Sequence, residues 1–148
     1  MFYNEEQDRQ MNPSAVSENF AAEVLKAVQG EATAIDFYGR LAEAAPSEDM
    51  KSAILGIRQD EQDHFQLFSW LYIRLTGTQP AFQVTPVRFQ SFSEGLRIAY
   101  HDELKDYETY RNLYLMTQDP TIRNILLRAF TDEIKHAIRF GLMTTSLS

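Results

Sequence analysis

The sequence predicts an all-α chain, an antiparallel four-helix bundle with a long crossover between its second and third helices. Three observations predict it. Four long segments repeat apolar residues every three or four positions, capping residues and helix breakers separate those segments, and an internal duplication relates the first pair to the second.

The composition bounds the classes that remain. At 148 residues the chain fits one domain able to bury a core. It contains no cysteine, which removes disulfides, thiolate zinc sites, iron–sulfur clusters and cysteine nucleophiles together. A formal charge of -7 with scattered Lys and Arg argues against a nucleic-acid partner. No apolar run approaches the roughly 20 residues needed to cross a bilayer, so no membrane partner is expected. The first residues, MFYNEEQDRQMNPS, place acidic and polar side chains where a signal peptide needs an apolar segment, and the expected location is the cytoplasm.

Residues 1–16 read as a polar tail, and residues 17–148 as the bundle. Ser14 or Ser17 is suited to cap helix one, which should run to about Ala45, before Pro46. Ser47, followed by Glu48 and Asp49, opens helix two, which should continue to Thr76 and stop at Gly77. The stretch TQPAFQVTPVRFQ has two prolines and no helical period. Ser91 and Glu94 have capping-box spacing for helix three, expected to reach about Thr117. Asp119 as cap and Pro120 as first residue start helix four, which continues almost to the end.

Each helix interrupts its apolar stripe near the middle with charged or polar residues. Helix one carries Val24, Val28, Glu31, Ile35, Tyr38 and Ala42 on one face, and helix two carries Ile54, Ile57, Glu61, His64, Phe68 and Leu71. Helix three presents Leu96, Ala99, Glu103, Tyr107 and Tyr110, and helix four presents Leu126, Ala129, Glu133, His136 and Phe140. A buried carboxylate must be neutralised, paired or bound to a cation. Arg58 is the one basic residue three or four positions from any of these glutamates, so salt bridges within the helices do not balance them. Two divalent cations would balance four carboxylates, with each imidazole adding a neutral nitrogen ligand. Glu-x-x-His spacing puts both side chains on one helical face.

A shift of 72 residues superposes Glu31 on Glu103, Tyr38 on Tyr110, Asp60 on Asp132, Glu61 on Glu133, His64 on His136 and Phe68 on Phe140. The chain therefore reads as two copies of one helical hairpin, about 17–77 and 91–145. A helix of about 28 residues is roughly 40 Å long, and some 14 extended residues reach roughly 45–50 Å. The linker can thus span the bundle, invert the second hairpin and relate the halves by a pseudo-twofold axis.

Through GEATAIDFY, DEQDH, DELKDYETY and DEIKH, over about residues 17–144, the sequence resembles the rubrerythrin branch of the ferritin-like di-iron carboxylate proteins, specifically stand-alone members without a rubredoxin tail. The resemblance implies a ferritin-like bundle in which Glu61 and Glu133 bridge two metal ions, Glu31 and His64 complete one ion, and Glu103 and His136 complete the other. It also implies that Asp60 and Asp132 hydrogen-bond the ligating imidazoles; the alternative is solvated helix charge. Asp106 stands where the family often has a further glutamate ligand, and its shorter reach sets it apart. Tyr38 and Tyr110 are read either as supports for carboxylates or a bound oxygen species, or as aromatic packing. His101 is expected on the outer face, and Trp70 points outward as a candidate subunit contact.

The implied cofactor is two iron ions per subunit. Manganese accepts the same ligands, and zinc is able to occupy such a site in crystals. The implied activity is reduction of hydrogen peroxide or dioxygen, with an external electron donor because the chain has no cysteine for its own rubredoxin site. Ferroxidase or iron storage and a di-manganese catalase-like activity are the alternatives, and a homodimer is the expected assembly.

Overall fold

The computed structural model describes the backbone of residues 13–147 and the side chains of residues 18–147. Four helices make up the fold: α1 (Pro13–Glu43), α2 (Glu48–Thr76), α3 (Phe92–Met116) and α4 (Pro120–Thr145). Three of the starts are capped as their sequences predict. Ser47 accepts from the Met50 amide at 3.2 Å, and Ser91 accepts from the Glu94 amide at 3.1 Å. Asp119 accepts from the Thr121 and Ile122 amides at 2.9 and 3.0 Å, with Pro120 behind it at the first helical position. The Glu94 carboxylate reaches back to the Gln90 amide at 2.7 Å, one residue further than a standard capping box. At the end of α2, Gly77 adopts φ 70°, a left-handed conformation, and its amide closes on Ile73 O at 2.7 Å.

α1 differs at both ends from its sequence reading. It begins at Pro13, so residues 13–16 belong to the helix rather than to a tail, and Ser14 and Ser17 lie inside it rather than capping it. A proline fits a first helical turn because its missing N–H would have had no intrahelical partner there. The position preceding Pro13 and the rest of the expected tail lie outside the described residues. The far end stops at Glu43, two residues short of Ala45. A residue that precedes proline is disfavoured in the helical region; the Ala44 amide is shared between Arg40 O and Leu41 O at 3.2 and 3.1 Å, and the Ala45 amide makes a tighter bond to Ala42 O at 3.2 Å.

The linker fixes the topology. Phe82 packs edge-on against Phe65 in mid-α2, with 5.5 Å between centroids. Further along, Val87 O accepts from Arg40 near the end of α1 at 2.8 Å, and Phe89 packs on Phe37 at 5.6 Å. The segment therefore runs from the end of α2 to the end of α1, the full bundle length, and α3 starts there antiparallel to α1. α1 packs along α2, and α3 along α4. The hairpins meet where α1 crosses α3 and α2 crosses α4.

Two apolar clusters fill the bundle ends. One contains Val24, Ala27, Phe68, Leu71, Leu113 and Leu126; the other contains Leu96, Ala99, Phe140, Met143, Leu41 and Ile54. Adding or subtracting 72 converts each member of the first set into the corresponding member of the second. The duplication is thus a physical pseudo-twofold axis that exchanges the ends. Between the clusters lies a layer of six buried polar residues: Glu31, Glu61, His64, Glu103, Glu133 and His136.

One glycine is held by packing. A Cβ on Gly95 would fall 2.5 Å from Leu41 Cδ1 and 3.2 Å from the Phe89 ring, where the crossover meets α1, whereas a Cβ on Gly56 would meet nothing within 4 Å. Gly95→Ala is therefore expected to destabilise the fold by about 1–3 kcal/mol through overpacking. Gly56→Ala should stabilise it by about 0.5–1 kcal/mol through helix propensity. Thermal unfolding of both variants measures this, and equal shifts of the same sign would disprove the close contact.

Candidate metal centre

Each helix contributes to the polar layer at its midpoint, because the stripe that faces the core carries a glutamate there, followed by a histidine on α2 and α4. The donor atoms fall into two groups. Glu31, Glu61, His64 and Glu133 form one, and Glu61, Glu103, Glu133 and His136 form the other, with the ligand atoms of each group within 4.8 Å of one another. Glu61 and Glu133 are common to both. These are the groupings that the family resemblance implies.

The histidines are oriented from outside. His64 Nε2 lies 2.8 Å from Asp132 Oδ2, and His136 Nε2 lies 2.8 Å from Asp60 Oδ2. Each aspartate thus serves the imidazole of the opposite hairpin. With Nε2–H donated outward, Nδ1 faces the layer: His64 Nδ1 is 3.3 Å from Glu133 and 3.6 Å from Glu31, and His136 Nδ1 is 2.9 Å from Glu61 and 3.6 Å from Glu103. The 2.9 Å approach lacks hydrogen-bond alignment, since both of its atoms are without a hydrogen-bond partner. The tyrosines cross in the same manner. Tyr38 donates to Glu103 at 2.6 Å and Tyr110 to Glu31 at 2.7 Å, while their rings pack on Phe140 and Phe68.

Electrostatics records the crowding. Burial, then the charges of Glu31, Glu133 and Glu103, pushes Glu61 well above the usual carboxylate range. Burial and the Glu133 charge push Glu103 up to about 8, against the nearby His136 and the hydrogen bond from Tyr38. Burial also raises Glu31, but Glu61, His64 and Tyr110 outweigh it and hold that group low. Burial disfavours the imidazolium of both histidines. The Asp132, Glu133 and Glu31 carboxylates nevertheless push His64 up to about 12, and Glu103 with Glu133 pushes His136 up to about 10. Burial and the surrounding carboxylates raise both tyrosines far above their usual range, so they remain hydrogen-bond donors.

The remaining sequence candidates lie around this layer. Asp106 is in neither donor group. It is half-buried on the wall of a cavity of about 520 Å³ at the α1–α3 seam, shared with Tyr38, Gly30, Thr33, Ala34 and Asp102. Burial, then Glu31, Glu133 and Glu103, raises its carboxyl well above the ordinary range. His101 is exposed, and Trp70 is 45% exposed with Arg74 over its ring. Arg58 does not pair with Glu61; its Nε donates to Ile35 O at 2.9 Å. Sequence reading passed over Lys135, whose Nζ lies 3.4 Å from Asp132 and 3.5 Å from Asp60. Its spacing of three from Asp132 was the available signal.

Fold and site together define a four-helix bundle with a buried carboxylate–histidine cluster compatible with a di-metal site. The chain belongs to the rubrerythrin family, whose pattern it matches over residues 23–143. It is 35% identical over 115 residues to the uncharacterized protein YhjR of Bacillus subtilis, covering 78% of this chain and 79% of that one. Among solved structures, it resembles a hypothetical protein from Pyrococcus furiosus with a TM-score of 0.77 at 21% identity, covering 85% of this chain and 88% of that one. It also resembles the conserved hypothetical protein rv2844 of Mycobacterium tuberculosis with a TM-score of 0.76 at 15% identity, covering 90% and 94%. A two-domain Anabaena variabilis protein with DJ-1/ThiJ/PfpI-like and ferritin-like domains matches with a TM-score of 0.72 at 18% identity, over 88% of this chain and 37% of that one. No helix among the described residues is long and apolar enough to cross a membrane.

The proton affinities predict an unusual pH dependence for metal-free protein. Glu61, Glu103, His64 and His136 all bind protons more tightly folded than unfolded. Between about pH 5 and 10 the folded state therefore holds more protons, and stability falls as pH rises, by up to about 1.4 kcal/mol per pH unit for each extra proton. Asp132, lowered to about 2, and Glu31, also lowered, act oppositely but only in acid. The melting temperature of chelator-treated protein should decline from pH 5.5 to 9. A rising profile would refute the repulsion described above.

Proposed function

We propose that this chain is a dinuclear iron protein that reduces hydrogen peroxide with electrons from an external donor. The observation that carries the reading is a set of seven buried atoms without hydrogen-bond partners in one layer: Glu31 Oε2, Glu61 Oε1, Glu103 Oε2, both Glu133 oxygens, and Nδ1 of His64 and His136. Proteins rarely leave such atoms unsatisfied, and these belong to ligand types that cations of intermediate hardness accept. Four carboxylates match the charge of two divalent ions. Glu61 and Glu133, common to both donor groups, are suited to bridge them, with Glu31 and His64 on one ion and Glu103 and His136 on the other.

When bound as iron(II), the pair supplies the two electrons that reduce a peroxide bond to water, with two protons taken up. The protein's part is orientation and exclusion. Asp132 and Asp60 hold the imidazoles with Nδ1 inward, and Tyr110 and Tyr38 fix the terminal carboxylates. The cavity at the α1–α3 seam is lined in part by Tyr38, which donates to Glu103, and in this reading it is the approach for a small oxidant. The electron donor is external, since the chain holds no cysteine for a rubredoxin-type iron site. Manganese and zinc suit the same donors. A cytoplasmic homodimer with Trp70 near the subunit contact completes the proposal.

Two experiments test it. Elemental analysis after anaerobic iron loading should saturate near two ions per chain; Glu61→Ala and Glu133→Ala should load far less, and Glu18→Ala as wild type. Loading of one ion, or equal loading in all variants, would defeat the bridging assignment. Stopped-flow absorbance should then show the iron(II) protein oxidised much faster by hydrogen peroxide than by dioxygen. Faster reaction with dioxygen, with iron(III) accumulating as mineral, would replace peroxide reduction by ferroxidase and storage.

A further inference from the structure

We propose that Lys135 acts as a shared electrostatic governor of the centre, setting through Asp60 and Asp132 the strength with which both histidines donate to metal. The inference rests on the dinuclear reading above. The geometry comes from the α2–α4 seam, where Lys135 Nζ lies 3.5 Å from Asp60 and 3.4 Å from Asp132. Those two aspartates are exchanged by the pseudo-twofold axis, so one ammonium group nearly equidistant from both sits close to that axis. Each aspartate in turn holds the Nε2 of one inward-facing histidine at 2.8 Å. A single side chain is therefore two contacts from both imidazoles at once.

Its counterpart in the duplication does something else. The residue 72 positions earlier is Asp63, which pairs with Arg128 at 3.1 Å. The seam thus carries one cation against two histidine-bound carboxylates, without a symmetric duplicate. Lys135 is 46% exposed, so its ion pairs contribute little to folding. Their electrostatic consequence is larger, because both aspartates are largely shielded, with 21% and 29% of their side chains exposed. A carboxylate that accepts an imidazole N–H strengthens the other ring nitrogen as a ligand. A neighbouring ammonium withdraws some of that effect and also repels bound cations. Lys135 is accordingly a positioning and tuning residue that touches neither metal nor oxidant.

The sign of the effect separates this role from a structural one. Metal-free wild type, Lys135→Met, Lys135→Arg and Arg128→Met would be titrated with zinc(II) against a competing chelator. The imidazole Nε2–H resonances of the zinc-loaded forms would then be recorded by proton and nitrogen NMR. Lys135→Met keeps the aliphatic stem and removes the charge. It should bind zinc about threefold or more tightly, with the resonances of His64 and His136 both moving downfield. Lys135→Arg should restore wild-type values, and Arg128→Met should leave them unchanged. Weaker binding by Lys135→Met, movement of one histidine alone, or no change would overturn the proposal. Failure of wild type to take up zinc would instead overturn the dinuclear reading and this inference with it.

Discussion

Four glutamates buried in one layer at the middle of a helical bundle form the constraint to which the remaining structure answers. In a low-dielectric interior such charges repel one another and each loses its hydration. The chain surrounds them with every available compensation. Two imidazoles lie among them, two tyrosine hydroxyls donate into them, and two aspartates at the rim turn the imidazoles inward. None of these partners leaves the charge balanced without cations or protons. The apolar clusters at the two ends supply the stability that lets the bundle hold such a layer.

The compensations cross between the two hairpins. Tyr38 of α1 serves Glu103 of α3, Tyr110 of α3 serves Glu31 of α1, and the aspartate–histidine pairs cross likewise between α2 and α4. Neither hairpin alone can orient its own histidine or tie its own terminal glutamate. The close packing lies within the hairpins, and contact between them is sparser. The polar layer is therefore what makes docking of the halves specific, since a one-turn slip would leave all four partnerships unmade. Full-length travel of the linker permits the inverted arrangement in which they form.

Most of this was legible in the sequence because the signals were local. Three helix starts followed from Ser47, Ser91 and Asp119, and the six central residues followed from charges interrupting apolar stripes. The 72-residue repeat made the two hairpins visible. What was not legible depended on distances between helices. The repeat showed that Asp60 and Asp132 were equivalent but not that each would reach across to the other's hairpin. Tyr38 and Tyr110 lay on the correct faces, but the sequence did not say which carboxylate each would reach, and each meets the glutamate of the opposite hairpin. Arg58, the one basic residue a turn from these glutamates, turns its guanidinium to a backbone carbonyl on α1, which spacing along α2 could not show. The beginning of α1 was misplaced because serine capping preference outweighed the fitness of Pro13 for a first turn.

Divergence between the two copies changes the chemistry of the seams where the pseudo-twofold axis meets the surface. At those two seams a residue and its duplicate lie near one another, so a change in one copy can offset a like charge kept in both, as Lys135 does for Asp60 and Asp132. At the α1–α3 seam, Gly30 and Ala34 on one helix correspond to Asp102 and Asp106 on the other, and the cavity lies between the small pair and the acidic pair. Along the α2–α4 seam, Asp63 corresponds to Lys135, and the lysine draws the two symmetry-related aspartates together. Duplication accounts for the six central residues, which are duplicated pairwise. The departures from it distinguish the two seams, with a cleft between small and acidic residues on one and a lysine held between two aspartates on the other.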